Sequence, residues 1–169
     1  MHRIAAFHKV SFAQFQRDVE RCALSFSSDT PEALYHAILL PSRATSGSAG
    51  YDFFAPFSFS LHSGKSITVP TGIRAEIDPG WFLGLLPRSG HGFRYRVQLD
   101  NTMGVIDSDY FHAESEGHIL IKLSNNSHSD TCLQLDKGTK FTQGIFLPHG
   151  IVIDDKADTK RVGGFGSTD

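Results

Sequence analysis

Ile73-Arg-Ala-Glu-Ile77 alternates apolar and polar residues without exception, and Asp78-Pro79-Gly80 follows at once, before Trp81-Phe-Leu-Gly-Leu-Leu86. A period of two puts alternate side chains on opposite faces, and Asp-Pro-Gly suits a tight turn, so this stretch predicts two strands joined by a turn. The texture persists from residue 37 onward. Residues 118–123, 144–147 and 151–153 are further short runs rich in Ile, Val, Leu and Phe, set apart by Gly, Pro, Ser and Asp. Many short strands with frequent turn signals argue for an all-β body, a jelly roll, β-sandwich or barrel, over residues 37–153.

The two ends read differently. Ser11, with Gln14 three positions on, has the form of a capping box, and Phe12, Phe15, Val19 and Cys22 recur at helical spacing. An amphipathic helix is therefore expected from Ser11 to about residue 24, broken over residues 25–29. Thr30-Pro31-Glu32 is a second start signal, with Pro at the first helical position. Residues 1–36 thus read as a helical extension packed on something larger, without a catalytic constellation. Residues 154–169 are polar and glycine-rich and are expected to form an arm, mobile unless something binds it.

Composition narrows the function classes. At 169 residues the chain is sized for one domain. A formal net charge of −2, without a Lys/Arg cluster, gives no footprint for nucleic acid. No apolar run approaches the ~20 residues of a spanning helix, and the N-terminus lacks the pattern of a secretory signal. Two distant cysteines, Cys22 and Cys132, make no disulfide framework, so a cytoplasmic location is the simplest expectation. Nine histidines invite a zinc site, but none has the required spacing with Cys, His or carboxylates; most are expected at the surface or in turns.

Five segments of the β body carry possible chemistry. The richest is Asn101-Thr-Met-Gly104-Val105-Ile106-Asp107-Ser-Asp-Tyr110. Val105 and Ile106 favour a buried strand, yet a carboxylate follows directly. Such a group is costly there unless paired or used, and a general base needs that kind of rigid, partly desolvated seat. Asp-Ser-Asp is also good turn chemistry, and the run alone does not separate the two readings. Ser48-Ala-Gly50-Tyr51-Asp52 reads as a strand start in which Gly50 supplies a positive φ or a close approach. Pro87-Arg88-Ser89-Gly90 combines a guanidinium fork, a hydroxyl and a glycine, suited to an oxyanion. Lys137-Gly-Thr-Lys140-Phe-Thr-Gln143 turns into a strand, and Arg161-Val-Gly-Gly-Phe165-Gly166-Ser167-Thr168 places one aromatic ring among glycines, suited to a flexible arm that wraps phosphate and stacks on a base.

Taken in order, these five segments closely resemble the five motifs of the trimeric deoxyuridine triphosphatase family, from about residue 39 to the C-terminus. The resemblance implies a β jelly roll that assembles as a homotrimer with shared active sites and hydrolyses dUTP to dUMP and pyrophosphate with Mg²⁺. On that match Asp107 activates the attacking water, and Tyr110 packs under the deoxyribose. Asn101 reads the uracil edge within the segment containing Gly104, Val105 and Ile106. Asp52 holds water on a metal carried mainly by the substrate phosphates. Arg88, Ser89, Gly90 and Gln143 contact the triphosphate. Phe165 covers the uracil, while Gly166, Ser167 and Thr168, with Arg161 favoured over Lys160, close on the γ-phosphate.

The match departs from the family pattern in places. After Tyr110 the family commonly shows a basic residue, a glycine and an acid, where this chain has Phe111-His-Ala-Glu-Ser-Glu116-Gly117. Lys140 stands where arginine is frequent, which keeps the charge but loses the planar fork. The chain is expected to bind dUTP, to have no membrane or direct nucleic-acid partner, and to offer its N-terminal helices to an unidentified protein at most. A dCTP deaminase of the same fold and a nucleotide-sensing regulatory protein are the alternatives.

Overall fold

The computed structural model describes residues 2–22, 24, 29–128, 130–158 and 163. In chain order its elements are β1 (Ala5–Lys9), α1 (Phe12–Arg21), α2 (Pro31–Ala37), β2 (Ser42–Arg43), β3 (Tyr51–Phe54), β4 (Phe59–His62), β5 (Ser66–Pro70), β6 (Ile73–Ile77), β7 (Trp81–Pro87), α3 (Ser89–Tyr95), β8 (Val97–Leu99), β9 (Gly104–Asp107), a 3₁₀ helix (Ser108–His112), β10 (Leu120–Asn125), β11 (Cys132–Leu135) and β12 (Lys140–Pro148). The architecture is all-β, with short helices at its margins. The largest sheet runs β2-β3-β12-β7-β9; smaller ones run β5-β10-β8, β11-β4 and β1-β6. Every pairing is antiparallel. No described helix is long and apolar enough to cross a membrane.

The alternation at residues 73–77 does what its period requires: Ile73, Ala75 and Ile77 are buried, while Arg74 and Glu76 face outward. Phe53, Leu61, Leu83, Ile106, Ile121 and Phe141, drawn from several sheets, meet in one core at under 2% exposure. Residues 151–153 differ from the expected strand: they join no ladder, and Ile151, Val152 and Ile153 stand exposed at 77%, 68% and 108%. Their apolarity has the strand signature, but no described strand of this chain pairs with them.

The N-terminal segment is more than a helical extension. β1 pairs with β6 over five residues, from Ala5 opposite Ile77 to Lys9 opposite Ile73. Phe7 packs edge-on against Tyr51 and Phe53, with ring centroids 5.4 and 5.7 Å away. Only a weak alternation marks Ala5–Lys9 in the sequence, which hides the strand. Ser11 caps α1, accepting from the Gln14 amide N–H at 3.1 Å. The reciprocal half of the capping box comes from a distant residue: Glu116 accepts from the Ser11 N–H at 2.8 Å and from its hydroxyl at 2.6 Å.

Beside Phe15 and Val19, α1 also buries Gln14 and Asp18. Asp18 accepts from Gln14 Nε2 at 2.7 Å and from His118 Nδ1 at 2.6 Å. His118, fully buried rather than on the surface, accepts the Gly72 N–H at Nε2, 2.8 Å away, so its own proton sits on Nδ1. Burial pushes the Asp18 carboxyl up, but hydrogen bonds from His118 and Gln14 and the Arg21 charge outweigh it and hold it below its ordinary 3.8. A depressed carboxylate stabilises the fold above the unfolded-state pKa and loses that contribution as pH falls through the folded-state pKa. Asp18→Asn should therefore be less stable at neutral pH, and its stability should change less than the wild type's between about pH 6 and pH 3. Denaturant titrations at both pH values check this; parallel losses in the two proteins would refute it.

Candidate active site

Three adjacent strands bring the sequence-predicted Asp52, Arg88 and Gln143 together, with Lys140 beside them. β12 lies between β3 and β7, with Gln143 opposite Asp52 on one side and Leu86 on the other. The chain leaving β7 delivers Arg88, whose Nε lies 3.3 Å from Asp52 Oδ1. Lys140, at the start of β12, places Nζ 2.7 Å from Asp52 Oδ2. Asp52 is thus a buried carboxylate bridging two half-exposed cations. Gln143 Nε2 donates to the Pro87 carbonyl at 3.2 Å. Gly50 has no positive φ, and a Cβ there would lie 2.9 Å from Gln143 Oε1, so a larger residue would press on the end of that side chain.

Arg88-Ser89-Gly90 forms the entry to α3, a short helix that the motif itself does not announce, and both Ser89 and Gly90 are exposed. The neighbouring His91 stays neutral. Burial pulls its pKa below the usual imidazole range; a bond to the Phe141 carbonyl opposes this, and the Arg88 charge reinforces it. The positive charge of the cluster therefore comes from Arg88 and Lys140, a pair suited to a polyanion once Asp52 gives them up.

Other predicted residues lie on β9, at the far edge of the same sheet, and in the segments on either side of it. In β9, Gly104 and Ile106 point inward, whereas Val105, expected to be buried, is 47% exposed. Ile106 is core at 1%, so only its backbone can meet a ligand. Asp107 shares the outward face with Val105, is half-buried, and sits opposite Phe82 on β7. The residues after it form the 3₁₀ helix rather than a free turn. Tyr110 is buried at 3%, its hydroxyl donating to the His118 carbonyl at 2.8 Å, so a ligand can meet only a narrow strip of its ring.

Asn101 and Gly104 line a cleft of about 390 Å³ with Leu85, Leu99, Asp100 and Lys122, within the size range of small-ligand sites. Hydrogen bonds from Ser124 and Lys122 hold Asp100 in its charged form, below the usual carboxylate range. The cleft's apolar wall, Leu85 and Leu99, is invisible to sequence reading because its parts come from different strands. Arg161, Phe165, Gly166, Ser167 and Thr168, and Lys160 with them, lie outside the described residues.

The family model for dUTPase matches residues 36–169. The chain belongs to the dUTPase family. The deoxyuridine 5′-triphosphate nucleotidohydrolase of Lactococcus lactis is 36% identical over 134 residues, covering 78% of this chain and 88% of that protein. The Shigella sonnei protein of the same name is 38% identical over 135 residues, covering 75% and 85%. Among solved structures, the dUTPase of Streptococcus mutans superposes with a TM-score of 0.60 at 33% identity, over 69% of this chain and 90% of that one. Residues 1–35, with β1 and α1, thus precede the part of the chain that carries the dUTPase match.

Proposed function

We propose that this dUTPase family member hydrolyses dUTP to dUMP and pyrophosphate at sites built from neighbouring subunits of a homotrimer. The observation that carries the reading is the pairing of a half-buried carboxylate, Asp107, with a separate cationic cluster, Arg88 and Lys140, on one sheet. Asp107 orients a water and takes its proton as the oxygen attacks the α-phosphorus; the bond to the bridging oxygen of the β-phosphate breaks, and pyrophosphate leaves. Arg88, Ser89, Gly90 and Gln143 receive the phosphates, and Lys140 adds its charge. Asn101 and the backbone of Gly104–Ile106 read the uracil, for which the cleft beside Asn101 is the right size. Tyr110 sets the floor beneath the deoxyribose. Phe165, Gly166, Ser167, Thr168 and Arg161 close over the nucleotide.

Spacing within the sheet supports sites shared between subunits. At about 3.3 Å per residue and about 4.8 Å per strand, Asp107 and Asp52 lie about 20 Å apart across the sheet. A water-activating base that far from the phosphate-binding cluster favours a site completed by a neighbouring subunit. The exposed apolar run at residues 151–153, together with Val105, gives a subunit boundary something to bury.

Mg²⁺ fits this site as an ion that arrives with the nucleotide. Among the described residues no three His, Cys, Asp or Glu side chains converge to hold a metal, and Asp52 is already paired with two cations. Asp52 would hold it through water. When bound, the ion offsets phosphate charge and so lowers the repulsion an incoming nucleophile meets. Two unpaired cysteines, Cys22 and Cys132, suit a reducing, cytoplasmic setting.

Incubation with dUTP and, separately, dCTP tests the chemistry. Pyrophosphate release from dUTP with Mg²⁺, without ammonia from dCTP, is expected; ammonia from dCTP would establish a deaminase instead. Sedimentation of active protein should give three times the chain mass, and an active monomer would refute shared sites.

A further inference from the structure

The segment in which this chain departs from its family, residues 111–117, and the adjoining His118 are held by residues that precede the family match and by Arg74 on the strand paired with them. Arg74 on β6 stacks its guanidinium 3.6 Å from the Phe111 ring centroid and donates to the Phe111 carbonyl. His8, opposite Arg74 across the β1–β6 ladder, puts its ring 5.7 Å from the same phenyl group. Glu116 grips Ser11 through both carboxylate oxygens. Asp18 fixes the His118 ring, and the His118 carbonyl anchors the Tyr110 hydroxyl. Gly117 lets the chain turn back at φ +68° between these contacts.

We propose that residues 5–21, together with Arg74 on the β6 strand that they pair with, act as an internal brace that positions Asp107 and Tyr110, with Asp18, Ser11 and Arg74 as positioning residues acting through His118, Glu116 and Phe111. Its geometric logic is direct. The 3₁₀ helix begins at the residue after Asp107 and ends at His112, so a clamp on Phe111 at its far end sets the direction in which β9 delivers the carboxylate. The hydroxyl anchor sets which strip of the Tyr110 ring stays open to a sugar. α1 spends its apolar face, Phe15 and Val19, inside this chain, so the brace uses the surface that a docking helix would offer to a partner protein.

Since it rests on dUTP hydrolysis, the inference is tested in wild-type protein first shown to release pyrophosphate from dUTP; failure there refutes the functional reading and not the brace. The readout is the ratio of kcat/KM for dUTP to that for UTP, because the seat proposed for Tyr110 lies beneath the sugar whose 2′ position the two differ in, together with kcat and KM for dUTP separately. Asp18→Ala removes the His118 contact; Asp18→Asn keeps an oxygen to accept it; Arg74→Met keeps the stem and removes the guanidinium. Asp18→Ala and Arg74→Met should each lower the dUTP:UTP ratio tenfold or more, at a temperature where circular dichroism shows native structure, while Asp18→Asn stays within threefold of wild type. A weld of purely structural value would lower the melting temperature and leave the ratio alone. An unchanged ratio in either folded variant overturns the proposal, and should Asp18→Ala fail to fold, Arg74→Met decides it.

Discussion

Asp107→Asn is expected to lower kcat for dUTP by about 10²–10⁴-fold, the range for losing a positioned general base, while leaving nucleotide affinity within a few-fold. The amide matches the carboxylate in size and can still orient water, but it cannot take the proton. The fold should not suffer. Asparagine has the size of aspartate, and the Asp107 backbone is fixed by pairing with Phe82. Steady-state pyrophosphate release and calorimetric titration with a non-hydrolysable dUTP analogue separate the two effects. Turnover within tenfold of the wild type would remove Asp107 from the role of base.

Gly117→Ala should be strongly destabilising. Gly117 has φ +68°, and a Cβ there would lie 2.6 Å from the Tyr110 carbonyl oxygen and 2.8 Å from the Phe111 Cα. Left-handed backbone costs an L-residue about 1–2 kcal/mol, and overpacking adds about 1–3 kcal/mol. The clashing atoms are backbone, which cannot swing aside as a side-chain terminus does. A loss of about 2–5 kcal/mol by denaturant unfolding is expected, with a fall in activity larger than that of a surface control such as Gly64→Ala. Gly64 also has positive φ, but a Cβ there would meet nothing within 4 Å, so that control carries the backbone strain without the clash. Equal stability losses at the two positions would show that the Tyr110–Gly117 contact does not matter.

What the sequence discloses follows the range of each signal. Strict alternation locates Ile73–Ile77 to the residue, because burial on one face is a local pattern. Ser11 marks the start of α1 for the same reason. The strand at Ala5–Lys9 stays hidden because its partner, β6, supplies the pattern that it lacks. Val105 is exposed against expectation: β-branching says strand, but not which face looks out. The site divides similarly. Asp107, Asp52, Arg88 and Gln143 stand out as chemical groups beside strand-forming runs, whereas the Asp52 bridge to Lys140 and Arg88 depends on three strands lying side by side. The Asp18–His118 contact spans 100 residues, and a lone buried histidine has no sequence mark to distinguish it from one in a turn.

β12, the last strand among the described residues, occupies the middle of the largest sheet, between β3 and β7. During synthesis, both neighbours leave the ribosome long before the strand that joins them. Until residue 148 has emerged, β3 and β7 carry ladder edges without their partner, and such edges invite pairing with other chains. Nascent protein must therefore wait for its own C-terminal third before the sheet can close, and a message truncated ahead of Lys140 yields not a smaller working domain but an open sheet prone to aggregate.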